Sequence, residues 1–187
     1  GDDTLVNNGT IQGYDGITDD AGSAGAGGSD FIYNAAPGLI NAYESGIEGG
    51  GPDILFNFGT INAGVGLDCV TAAPGPGCYM YNTGILNGGV RSNHGDDTMI
   101  NTSGSYPSQV NGAIVMGAGQ DYLANLSGYI NGPTSMGDGN DSVDNASVML
   151  DVNLGPGADS LDNEIGGLIL GSVSAGDGSD TVNNRAQ

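Results

Sequence analysis

The apolar residues of this chain recur at alternate positions within short segments, and no long stretch carries a helical stripe. The clearest segments align on aspartate: GDDTLVN at 1–7, GSDFIYN at 28–34, GPDILFN at 51–57, GDDTMIN at 95–101, GQDYLAN at 119–125, GNDSVDN at 139–145, GADSLDN at 157–163 and GSDTVNN at 178–184. All read G-x-D-x-U-x-N, where U is Leu5, Ile32, Leu55, Met99, Leu123, Val143, Leu161 and Val182 in turn. A degenerate copy, CYMYN at 78–82, keeps Met80 and Asn82 but puts Cys78 in the Asp position. Alternation over so few residues, bounded by Gly, predicts strands.

Two further alternating segments follow each copy. NGTIQG at 8–13, FGTINA at 58–63, TGILNG at 83–88 and SGYING at 127–132 form one set; AIVMGAG at 113–119, PTSMGDG at 133–139, DVNLGPG at 151–157 and SVSAGDG at 172–178 form the other. Three strands per repeat, with corners of varying length, describe a solenoid. The expected fold is all-β: a single-stranded parallel β-helix of about eight to nine coils, right-handed by analogy with most such folds. One domain spans 1–187, with corner insertions near 14–29, 69–78 and 102–112. U points inward and stacks on its copies, each contributing roughly 1.5–3 kcal/mol on burial. Asn has the parity of U, so it is expected to face inward and bond its copies in a ladder. The Gly two before Asp is expected at positive φ. Tyr33, Tyr79, Tyr81 and Tyr122 flank U and point outward.

Glycine supplies 37 of 187 residues, without the G-X-Y period of collagen. The charge is one-sided, with 22 acids against Arg91 and Arg185 and a formal net charge of −20. Nucleic acid is thereby excluded as a partner, because phosphate contacts need Lys or Arg; anionic membrane surfaces are disfavoured likewise. No apolar run approaches a membrane-spanning helix, so no direct membrane insertion is expected. Cys69 and Cys78 close a short Gly/Pro loop and are expected to form a structural disulfide, which places the chain in an oxidising compartment.

DTLVNNGTIQG and DGNDSVDNASVMLDVNLGPGADSLDN resemble passenger repeats of bacterial autotransporter-type surface proteins, and are similar to the haemolysin-type (RTX) calcium-binding repeat G-G-x-G-x-D-x-U-x. The first resemblance implies an exported β-helix, secreted or at the bacterial cell surface, used as adhesin, layer or stalk. The second implies calcium held between turns. The fullest G-x-G-x-D matches make Asp121, Asp138, Asp141, Asp159, Asp177 and Asp180 the candidate calcium ligands, since stacked carboxylates repel unless a hard cation with oxygen ligands compensates them. The competing reading is that each Asp caps its own turn by accepting backbone N–H groups.

No catalytic constellation is expected. His94, in RSNHGDD, reads as an exposed corner residue, because a Ser-His-Asp triad rarely comes from sequence neighbours. The expected function is a non-enzymatic rod-like adhesin or a self-assembling fibre or sheath subunit. Its expected partners are further copies stacked end to end, and surface glycans. The alternatives are a calcium-responsive binding module and a carbohydrate-active β-helix working through paired acids.

Overall fold

The computed structural model describes residues 2–18, 28–69, 76–104 and 106–185. Among these residues there is no helix, and every strand pairing is parallel. Three sheets form the three faces of a β-solenoid. The first face holds nine strands, from Thr4–Asn7 to Thr181–Asn184; the second holds eight, from Thr10–Gly13 to Leu168–Ile169; the third holds eight, from Ile17–Thr18 to Val173–Ser174. Each chain segment visits the faces in that order and then steps to the next coil.

All nine copies of the aspartate motif, the degenerate one included, are strands of the first face. Their register runs Leu5, Ile32, Leu55, Met80, Met99, Leu123, Val143, Leu161, Val182 without a slip. Ile11, Ile40, Ile61, Leu86, Val110, Ile130, Met149 and Ile169 form the matching column of the second face. Ile47, Leu67, Val90, Ile114 and Val152 fill the third, and Thr134 replaces an aliphatic residue in one coil. From Ile32 to Leu161 the first-face column is essentially inaccessible to water. No single coil can enclose these side chains, so the columns bind the coils to one another.

The corners differ in part from expectation. The strand Ile17–Thr18 falls inside the segment read as an insertion at 14–29, and residues 19–27 lie outside the described residues. At 102–112 the insertion is shorter than expected, because Gln109–Val110 is already a second-face strand. Residues 70–75 of the cysteine loop lie outside the described residues. Positive φ is found two residues before Asp at Gly95, Gly139 and Gly178, but more regularly four before it, at Gly117, Gly137, Gly155 and Gly176. Gly119 and Gly157, also two before Asp, are held by crowding instead: a Cβ there would lie 1.9 and 1.6 Å from the carbonyl oxygens of Gly95 and Gly139.

Candidate functional site in the aspartate column

Strand parity decides where the polar residues of the first face go. Side chains at alternate positions share one side of a strand, so Asp, U and Asn of each motif all point inward. The asparagines form an unbroken ladder. Nδ2 of Asn7 donates to Oδ1 of Asn34 at 2.8 Å, and the link repeats through Asn57, Asn82, Asn101, Asn125, Asn145, Asn163 and Asn184 at 2.8–3.0 Å. A second ladder lies on the outside of the second face. There Nδ2 of Asn62, Asn87, Asn111 and Asn131 donates to the Asn of the preceding coil, starting at Asn41, at 2.7–2.8 Å. The two ladders run in opposite directions along the rod. The sequence reading missed the second, although Asn62, Asn87 and Asn131 stand at one place in the aligned TIN, ILN and YIN segments.

The aspartates form a ladder of a different kind. Oδ1 of Asp30 accepts the backbone N–H of Asp3 at 2.6 Å, and Oδ1 of Asp53 that of Asp30 at 2.8 Å. Asp97 accepts from Cys78 at 2.6 Å, Asp121 from Asp97 at 2.8 Å, Asp141 from Asp121 at 2.9 Å, Asp159 from Asp141 at 2.8 Å and Asp180 from Asp159 at 3.1 Å. Each carboxylate therefore caps the coil before it. The own-turn cap expected from the sequence occurs at Asp53, whose Oδ2 accepts the N–H of Gly51 at 3.1 Å.

The second carboxylate oxygen separates the coils. Oδ2 of Asp30, Asp121, Asp141 and Asp159 is buried and has no hydrogen-bond partner, although these residues are only 1–2% exposed. For Asp121, Asp141 and Asp159 the cause lies across the corner, on an inward column of the third face. In register, that column reads Gly49, Cys69, Ser92, Met116, Met136, Leu154. Where it offers Ser92, the hydroxyl donates to Oδ2 of Asp97. Where it offers Cys69, the first-face partner is Cys78 and the link is covalent. Where it offers Met116, Met136 or Leu154, the facing Oδ2 is left unpaired.

Burial shifts the titration of these groups upward, because the charged form loses water. Burial raises Asp121 from 3.8 to about 7; the Asp97 N–H opposes the shift, and Asp97, Asp141 and Asp96 add to it. Burial also raises Asp141 to about 6, against the N–H of Asp121. Asp97 is raised by burial to about 6, and is held there partly by the Ser92 hydroxyl and the Cys78 N–H.

The six calcium candidates are thus divided. Asp121, Asp141, Asp159 and Asp180 share the inward column. Asp138 and Asp177 are exposed at the third corner, where their backbone carbonyls accept the N–H groups of Gly119 and Gly157. A cation between these coils would find the unpaired Oδ2 atoms of Asp121, Asp141 and Asp159, and would need the rest of a calcium shell of six to eight oxygens from carbonyls and water. Among the described residues, the one group of three His, Cys, Asp or Glu with mutually close ligand atoms is Cys69, Cys78 and Asp97, and both its sulfurs are in the disulfide.

Both arginines join neighbouring coils. Arg91 holds the buried Asp68 through Nε at 2.9 Å and through Nη2, and Arg185 holds Asp162 in the same bidentate way. His94 is exposed at a corner, in a bridge with Ala118. Tyr33, Tyr79 and Tyr81 face outward as expected, joined with Phe31, Phe56 and Phe58 in a ribbon of rings 5.0–6.3 Å apart. Tyr122 donates its hydroxyl to Asp144 at 2.7 Å. Comparison of the chain with protein-family models, curated proteins and solved structures found no match.

Proposed function

We propose that the chain is a non-enzymatic structural rod, exported to the bacterial cell surface or beyond it, in the manner of an autotransporter-type passenger. The observation that carries this reading is that the inward polar residues of the first face serve the stack itself. Asn joins Asn from one end of that face to the other, and Asp caps the preceding coil on both sides of the one coil in which Cys78 replaces it. Both guanidinium groups are likewise bound to carboxylates of adjacent coils. The disulfide supports an oxidising destination.

Copies of the rod add end to end. Val182 and Val173 are exposed in the last described coil, where a further coil would cover them. A contact that does not close on itself produces filaments. The test is small-angle scattering over a concentration series, with Val182→Lys and Val173→Lys as blocking variants. Particle length growing with concentration in the parent and fixed in the variants supports the reading; one fixed length for the parent at every concentration overturns it.

A second reading, a calcium-responsive module like RTX segments, is favoured by the unpaired Oδ2 atoms of Asp121, Asp141 and Asp159. Thermal melts followed by circular dichroism, with calcium and with chelator, decide it. A rise in melting temperature with calcium supports this reading, and superimposable melts remove it.

A further inference from the structure

The corners between the first and second faces vary in length along the rod. They span 35–38, 58–59, 83–84 and 102–108 in four successive coils. Two short corners therefore lie between two long ones, leaving a trough three coil steps, or about 14 Å, in length. Ala36 and Pro37 form one end wall; Gly104, Tyr106 and Pro107 form the other; Phe58, Thr60, Thr83 and Ile85 line the floor, and the space enclosed is about 560 Å³. Tyr106 is 82% exposed, while the Phe58 ring is fixed by Tyr33 at 5.0 Å and Tyr81 at 5.9 Å. The trough is thus continuous with the ring ribbon of the first face.

The lining selects a class of ligand. It holds no charged residue, in a chain of net charge −20, so anionic ligands are repelled at long range and cationic ones find no local partner. A peptide adding as a β-strand needs free backbone edges. Here the backbone is already paired: the N–H groups of Thr60, Ile85 and Gln109 bond to Gly38, Gly59 and Gly84. The Thr60 and Thr83 hydroxyls have no hydrogen-bond partner among the described residues. Apolar platforms next to free hydroxyls match a sugar ring, which presents C–H groups on its face and hydroxyls on its rim. The volume lies within the usual range for small-ligand sites.

We infer that this trough binds a short neutral oligosaccharide lying along the rod axis, with Tyr106 as the stacking platform and Thr60 and Thr83 as hydrogen-bonding groups. This deepens the reading of the chain as a surface rod by naming what it adheres to. The test is calorimetric titration of the whole chain with neutral glucose-, galactose-, mannose- and N-acetylglucosamine-based oligosaccharides, and with sulfated and carboxylated analogues. The expected result is saturable binding of a neutral member, no binding of its anionic analogue, and a loss of about tenfold or more on Tyr106→Ala. Tyr129→Ala, on the second face outside the trough, should leave affinity unchanged. Thr83→Arg, which places bulk and charge on the floor, should abolish binding, with circular dichroism confirming that the variant is folded. No binding by any neutral oligosaccharide, tighter binding of anionic analogues, or equal affinity in Tyr106→Ala overturns the inference. Scattering on the same sample separates the two proposals: a rod that binds no glycan sinks only the trough, whereas a particle that is not rod-shaped sinks the structural reading.

Discussion

The asparagine and aspartate columns lie on the same face of the same strands, four residues apart, and both point inward. They differ by one chemical group per coil. An amide carries a donor and an acceptor, so a stack of Asn side chains satisfies itself, each Nδ2 meeting the next Oδ1. A carboxylate carries only acceptors, so the Asp column must take its donors from elsewhere. The backbone N–H of the preceding coil supplies one and satisfies Oδ1. Oδ2 depends on the third face, which provides a hydroxyl at Ser92 and only apolar side chains at Met116, Met136 and Leu154. One column is therefore closed and insensitive to pH, and the other is open to protons or cations.

The largest effect is expected where the closed column is broken in the middle. Asn101→Leu leaves Nδ2 of Asn82 without its Asn acceptor and Oδ1 of Asn125 without its donor, both in buried residues. At about 1–3 kcal/mol for each unsatisfied group, the cost is about 4 kcal/mol, to be read from denaturant unfolding. The disulfide comes next. Replacing both cysteines by Ala is expected to cost about 2–3 kcal/mol. Replacing Cys69 by Ser and Cys78 by Asp reproduces the Ser92–Asp97 pair of the next coil, and is expected to recover about 1 kcal/mol of that loss. Equal stabilities of the two double variants would break the proposed equivalence of these corners.

A smaller effect is expected in the pH dependence of stability. Asp121 and Asp141 titrate higher in the folded chain than in the unfolded one. Their contribution is fully present below about pH 4 and lost as pH rises through about 6 to 7. Asp121→Asn keeps the Oδ1 acceptor for Asp97 and removes the titration, so its melting temperature should fall less between pH 5 and pH 8 than that of the parent. The finest effect is on a single titration. Met116→Ser gives Asp121 the kind of partner Asp97 has, and should lower its midpoint from about 7 toward about 6.

Much of this was legible in the sequence, because a solenoid repeats its evidence. The U column and the Asn ladder follow from strand parity and the recurrence of G-x-D-x-U-x-N. The same parity applied two residues earlier would have turned Asp inward. It was overridden by the usual association of Asp with turns, a rule derived from chains whose corners are exposed to water. The outer Asn ladder was overlooked because Asn41, Asn62, Asn87, Asn111 and Asn131 point away from the core, where an amide is ordinarily expected to be hydrated rather than stacked. The state of each Oδ2 was not legible at all. It depends on the third-face residue five positions before each Asp, Ser92, Met116, Met136 or Leu154, and strand parity alone does not show that the two side chains converge across the corner.

The most direct test is the titration of the side-chain carboxyl carbons of Asp121 and Asp141, followed by NMR in chelator. Midpoints of about 7 and about 6, with the parent folded throughout, are the expected result. Midpoints near the ordinary carboxylate value of about 4 would mean that these oxygens are hydrated or paired, and would contradict the account of a half-satisfied aspartate column.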